Sequence, residues 1–142
     1  MPLENFGSIL NFAEEIENQD KAFYSAAAGN PACSEYQDLF EQFASDAGKN
    51  IKSIQRTRRE NVTEMILEPI KDFIRAPFCE ECEGAATMEA AEVLSSAKTL
   101  EGRAERYYTE AAVKIKALPE VSRALKVLAK KHRAHIVKLD EL

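Results

Sequence analysis

The only two histidines of this 142-residue chain, His132 and His135, stand three residues apart. On a helix that spacing puts both imidazoles on one face, where they can address a single centre. Three carboxylates have comparable spacing elsewhere: Glu17, Asp20 one turn after it, and Glu101. Two imidazoles and one or two carboxylates suffice for one metal ion. Iron(II) held by two histidines and one carboxylate keeps open positions, and zinc takes the same set. A metal-free arrangement is also open to these residues, because a buried carboxylate and an imidazolium stabilise each other's charge. Both readings require Glu17, Asp20, Glu101, His132 and His135 to face one interior; a third leaves them facing solvent.

The elements that must position these groups read as four helices. Residues 6–28 place Phe6, Leu10, Ala13, Glu17, Asp20, Tyr24 and Ala27 at intervals of three and four, the stripe of an amphipathic helix. Gly29-Asn30-Pro31 ends it. Ser34-Glu35-Tyr36-Gln37 has capping-box form and is expected to start a second helix reaching about Arg59. The stripe of that helix is Tyr36, Phe40, Phe43, Ala47, Asn50 and Ile54. Residues 61–86, punctuated by Pro69 and Pro77, read as a long connection with some helix around Val62–Leu67. A third helix is predicted from near Thr87, with the stripe Ala90, Leu94, Ala97, Glu101, Ala104, Tyr108, Ala111 and Ile115. After Leu118-Pro119 a fourth carries Val121, Leu125, Leu128, His132, His135 and Leu139. Phe12 lies off the main stripe, where it either widens the buried face or meets a partner subunit.

The length fits one domain, residues 1–142, large enough to bury a core without disulfides. Hydrophobic residues at 45% and charged residues at 30% exclude a disordered chain. No apolar run approaches a membrane span, and Met1-Pro2-Leu3-Glu4-Asn5 lacks the basic start of a leader. A cytoplasmic protein is expected, without membrane association. A net charge of −5 gives no support for nucleic-acid binding. No Gly-rich phosphate loop and no Gly-x-Ser-x-Gly motif is present.

Charge is unevenly spread. Residues 4–24 hold five acids and one lysine, and residues 119–139 hold six bases and one glutamate. Helices carrying these faces would attract weakly as neighbours, and solvated faces are the plainer reading. Arg56, Arg58 and Arg59 close the second helix, where cations suit the helix dipole. Cys33, Cys79 and Cys82 are an odd number, so a disulfide framework is not expected. In a bundle the three can nonetheless meet where the first two helices join, as thiols for a metal or a redox pair, or remain thiols in a loop.

The chain also repeats itself. At an offset of 84, Ala13, Glu17, Tyr24 and Ala27 meet Ala97, Glu101, Tyr108 and Ala111. At an offset of 85, Phe43, Ala44, Ile51 and Ile54 meet Leu128, Ala129, Ile136 and Leu139, while Ala47 meets His132 and Asn50 meets His135. Two related helical hairpins joined by a crossover make a four-helix bundle. A helix of about 25 residues spans roughly 38 Å, within reach of a 26-residue connection even if it is largely helical.

Paired hairpins, each with a core glutamate seven residues before a tyrosine, resemble the rubrerythrin branch of the ferritin-like superfamily. The patterns are Ala-x-x-x-Glu-x-x-Asp-x-x-Phe-Tyr at 13–24 and Ala-x-x-x-Glu-x-x-Ala-x-x-Tyr-Tyr at 97–108. The resemblance implies an all-α, ferritin-like bundle and a two-iron carboxylate site, built from one Glu on each of two helices and Glu-x-x-His on the other two. It further implies peroxide, iron or oxygen chemistry, an external electron donor and a homodimer. Glu17 and Glu101 match the single glutamates. The Glu-x-x-His positions read Ala47-Gly48-Lys49-Asn50 and His132-Arg133-Ala134-His135. Both bridging carboxylates are therefore gone, and the rubredoxin-like cysteine module is absent. The implied remainder is an incomplete site with Glu17, Glu101, His132, His135 and Asp20 as ligands for one iron or zinc. Tyr24 and Tyr108 would hydrogen-bond its carboxylates, and Asn50 would add a carbonyl or orient a water. The rival expectation is a metal-free scaffold or interaction bundle.

Overall fold

A computed structural model describes residues 6–61, 73, 76–80 and 84–142. Among them are four long α-helices and no strand: α1 (Phe6–Ala28), α2 (Gln37–Glu60), α3 (Ala90–Lys114) and α4 (Pro119–Asp140). The all-α four-helix bundle of two hairpins is therefore present. The helix expected around Val62–Leu67, and Cys82, lie outside the described residues.

Hairpin α1–α2 faces hairpin α3–α4, with α1 against α3 and α2 against α4. Helices α1 and α4 thus sit on a diagonal, so their oppositely charged surfaces are not the neighbours that attraction would make them. The acidic face of α1 is met by α2 instead: Arg58 Nη1 donates to Glu14 at 2.7 Å and Nη2 to Asn11 at 2.8 Å. Tyr107 on α3 donates to the Ile9 carbonyl at 2.8 Å, pinning α3 to the start of α1.

The apolar stripes all turn inward. Leu10, Ala13 and Ala27 of α1, Phe40, Phe43 and Ile54 of α2, and Leu125, Leu128 and Leu139 of α4 are buried. In α3 the buried face takes Val93 in place of the expected Leu94, which is only partly covered. Phe12 is 4% exposed and sits edge-on to Tyr107 with ring centroids 5.0 Å apart, so it widens the core. Phe73 and Phe78 close on the other sides of the Tyr107 ring.

The helix starts differ from expectation. Ser34 falls inside a 3₁₀ turn, Pro31–Tyr36, and α2 begins at Gln37 with no side-chain cap. Asn30 takes the capping part earlier, its Oδ1 accepting from the Ala32 amide at 2.9 Å. Proline at 31 supplies no amide donor, and a 3₁₀ turn suits so short a corner. Helix α3 starts at Ala90 because Gly84, at φ 82°, makes a turn that returns the Thr87 and Met88 amides to its carbonyl.

Asn30 also ties the two hairpins together. Its Nδ2 donates to the carbonyls of Ala85 at 2.8 Å and Met88 at 2.7 Å, and the residue is 4% exposed. Asn30→Ala removes the donor from two carbonyls and the acceptor from one amide. Buried groups left unpaired cost about 1–3 kcal/mol each, so a loss of about 3 kcal/mol is expected by urea unfolding. A loss under about 1 kcal/mol would show that the Asn30 clasp is not structural.

Candidate metal centre

Helical spacing brings all five candidate residues to one place. Glu17 and Asp20 project from α1, Glu101 from α3, and His132 and His135 from α4; they are 0, 1, 0, 2 and 6% exposed. The His132 ring lies between two carboxylates. Its Nε2 is 2.7 Å from Glu17 Oε2 and its Nδ1 is 2.8 Å from Glu101 Oε1. His135 Nδ1 is 2.8 Å from the same Glu101 oxygen, and its Nε2 is 2.9 Å from Asp46 Oδ2. Phe43 stacks on His135 with centroids 3.8 Å apart and fixes the ring plane.

The carboxylates are oriented by further donors. Tyr108 Oη donates to Glu17 Oε2 at 2.6 Å, and Asn50 Nδ2 donates to Glu17 Oε1 at 3.1 Å. Asn50 therefore presents its amide to Glu17, leaving its carbonyl oxygen over. Burial, then the charge of Glu101 beside it, raises the Tyr24 hydroxyl well above its ordinary value. Arg103, 1% exposed, reaches Asp20 Oδ1 at 3.4 Å and donates to the Phe78 carbonyl at 3.0 Å.

Burial and charge move the ionisations in opposite directions. Burial, then the charges of Glu101 and Glu17, push the Asp20 carboxyl well above the usual carboxylate range, which favours its protonated form. Burial alone would raise Glu101 too, but the His132 charge and the hydrogen bonds from His132 and His135 bring it to about 2. Burial disfavours charge on His132, yet Glu17 and Glu101 outweigh it and hold the ring as imidazolium. Burial and then Glu17 raise the Tyr108 hydroxyl, keeping it a donor.

Two sets of ligand atoms lie close enough to hold an ion: Glu101, His132 and His135, and Glu17, Asp20 and His132. The space among them is lined also by Tyr24, Phe43, Ala47 and Asn50 and is too small for a water molecule. Two buried oxygens of residues on its wall lack a hydrogen-bond partner: Asp20 Oδ2 and Asn50 Oδ1. Water cannot satisfy them, whereas a bare cation can.

The residues do not fit a two-iron group. Ala47 offers no ligand, Asn50 is engaged with Glu17, and the His132 ring occupies the gap between the two glutamates. Charge points the same way. At most three negative charges, on Glu17, Asp20 and Glu101, face Arg103 and the His132 ring. If one divalent ion replaces the protons of Asp20 and His132, three carboxylates face that ion and Arg103, and the core stays neutral. A second divalent ion would leave two uncompensated positive charges in the interior, a severe cost.

Arg103 and Asp46 were not legible as part of this site. Arg103 lies off the α3 stripe, and Asp46 is one acid among many on a solvated face. The thiols do not gather at it. Cys33 is buried with Ala85 and Val93 while Cys79 is exposed beside Phe78, and no cysteine joins a candidate metal group among the described residues.

A family model described as a ferritin-like domain matches residues 7–138. Searches of curated proteins and of solved structures return no match.

The core sets a pH dependence for the chelated protein. Held above its ordinary value of 6.5, His132 contributes stability that is full below pH 6.5 and lost as pH rises through its folded value. Asp20 works in the same sense, since its raised value costs stability as pH climbs above 3.8. Glu101 is lowered, so its contribution is present above 4.5 and fades as pH falls toward 2. The Asp20 and Glu101 effects oppose each other in acid, giving a shallow acid limb. Urea unfolding of the chelated protein is expected to show stability falling from pH 6.5 into the alkaline range, and a level or rising profile there would contradict the imidazolium assignment.

Proposed function

The chain belongs to the ferritin-like domain family, and on that premise we propose that it binds one divalent metal ion and no longer carries the two-iron chemistry. The ion is held by Glu101, His132 and His135, with Asp20 and Glu17 near enough to complete or adjust the set. The observation that carries this reading is the pair of buried ligand groups sharing His132, with the Asp20 and Asn50 oxygens lacking a hydrogen bond around a space that admits no water. Iron(II) in a two-histidine, one-carboxylate set would supply oxygen or peroxide redox chemistry through its open positions, and zinc in the same set would not be redox-active. A redox role takes electrons from an external donor. A homodimer goes with this reading.

The protein's own side chains prepare the site. Phe43 holds the His135 plane, Tyr108 and Asn50 fix Glu17, and Arg103 keeps a positive charge beside Asp20. His132 must surrender a proton and exchange carboxylate contacts for the ion, so binding competes with protons.

A second reading has its own observation: each of the four imidazole nitrogens already lies 2.7–2.9 Å from a carboxylate oxygen. On that reading the histidines are structural and the bundle is a metal-free scaffold.

Elemental analysis of untagged protein, before and after anaerobic loading with iron(II), separates them. The metal reading expects close to one iron or zinc per chain, release of about two protons per ion in weak buffer, and loss of uptake in His135→Leu. Peroxide turnover by loaded protein is expected to stay far below that of a two-iron enzyme. No uptake after loading would leave the scaffold reading. Two irons per chain would overturn the charge argument.

A further inference from the structure

On the α2–α4 side of the bundle, a cleft of about 210 Å³ opens over His135. Its walls are Asp46, Lys49, Asn50, Lys131, Ala134, His135 and Lys138. Two of these, Asn50 and His135, also wall the core space, so the cleft and the candidate metal centre are separated by a single layer of side chains. The groove by Phe73 and Phe78 is mainly apolar, and an opening on the α1–α2 side is lined by Lys21, Lys49 and Lys52 but shares no residue with the candidate metal centre.

The charge of the cleft is one-sided. Three lysines and one carboxylate line it, and that carboxylate is already engaged. Asp46 Oδ1 accepts from Gln42 Nε2 at 2.9 Å, and Oδ2 lies 2.9 Å from His135 Nε2. The ion pairs among the described residues use Arg58, Lys98, Arg103, Arg133 and the histidines; Lys49, Lys131 and Lys138 take part in none. Ala134 keeps the mouth open by contributing only a methyl group. Three exposed lysines that line one recess and take part in no ion pair among the described residues give it a positive potential, focused by the low-dielectric bundle behind it. The recess is smaller than the roughly 300 Å³ at which drug-sized ligand pockets begin.

We propose that this cleft is a binding site for a small oxyanion, a carboxylate or phosphate group held by Lys49, Lys131 and Lys138 above His135. One anion oxygen replaces the Asp46 carboxylate at His135 Nε2, and Asp46 retains Gln42. The site stands on its own lysines; only the use of a bound anion as substrate or co-ligand beside the ion rests on the metal reading.

The test is an amide NMR titration of the full chain with sodium phosphate and, separately, sodium acetate at low ionic strength, in chelated and metal-loaded protein. Expected are saturable shifts confined to residues around Asp46, Lys49, Ala134, His135 and Lys138. Phosphate alone saturating would assign phosphoryl compounds, and acetate alone would assign carboxylates. The exposed double variant Lys131→Gln/Lys138→Gln should weaken binding about tenfold, while Lys116→Gln/Lys126→Gln should leave it unchanged. Shifts that never saturate, or an equal loss in both double variants, would overturn the site in favour of diffuse attraction. Saturable binding in a chain that takes up no metal keeps this site and removes the metal reading. Metal uptake without saturable anion binding removes this site alone.

Discussion

The His132 imidazole, clamped between Glu17 and Glu101, is the contact on which the interior depends. It joins α4 to its diagonal partner α1 and to its hairpin partner α3 through one ring. Its two nitrogens satisfy carboxylates that would otherwise be buried without a counter-charge. Removing one partner from such a set strands the others, and an uncompensated buried charge costs more than the intact pair contributes. The positions of Glu17 and Glu101 are in turn set by helix packing, since both sit on stripes whose other members are core residues. Sequence periodicity, bundle geometry and charge compensation therefore converge on one side chain.

Neutrality also explains why Arg103 is buried. Three acids within one small region need a permanent cation, because protons alone leave the region at the mercy of pH. Arg103 supplies it beside Asp20, and its other hydrogen bond, to the Phe78 carbonyl, anchors the 3₁₀ turn Ala76–Phe78 against α3. The same guanidinium thus serves electrostatics inside the bundle and holds part of the connection outside it. A lysine could carry the charge but lacks the planar fork that reaches two acceptors at once.

Much of this was readable from residues alone, and the exceptions have physical causes. Stripe spacing placed Glu17, Asp20, Glu101, His132 and His135 inward because a helix with a 3.6-residue period leaves little choice of face. The internal repeat gave the pairing of hairpins. Ser34 was misread because a capping box specifies a local hydrogen-bond pattern, and the 3₁₀ turn begun at Pro31 uses Asn30 for that purpose first. Leu94 and Val93 exchanged places because α3 begins after the Gly84 turn and its buried face is broad. Arg103 and Asp46 were invisible because an Arg or Asp next to a stripe is normally solvated, and only the tertiary neighbours Phe78 and His135 decide otherwise.

The duplication shows where the two halves have diverged. Tyr108 donates to Glu17 across the bundle, and its counterpart Tyr24 lies by Glu101. Asn50 donates to Glu17, while its counterpart His135 meets Glu101 and continues outward to Asp46. Ala47, opposite His132 in the repeat, supplies neither charge nor ligand. Glu17 is thus met by two neutral donors and one imidazole nitrogen, and Glu101 by two imidazoles. Imidazoles can exchange a proton for a cation, which tyrosine and amide donors cannot do near neutral pH. The exchangeable half of the core is therefore the Glu101–His132–His135 half, which reaches the lysine-lined cleft through His135. A symmetrical bundle built from equal halves has become one with a fixed side and a responsive side.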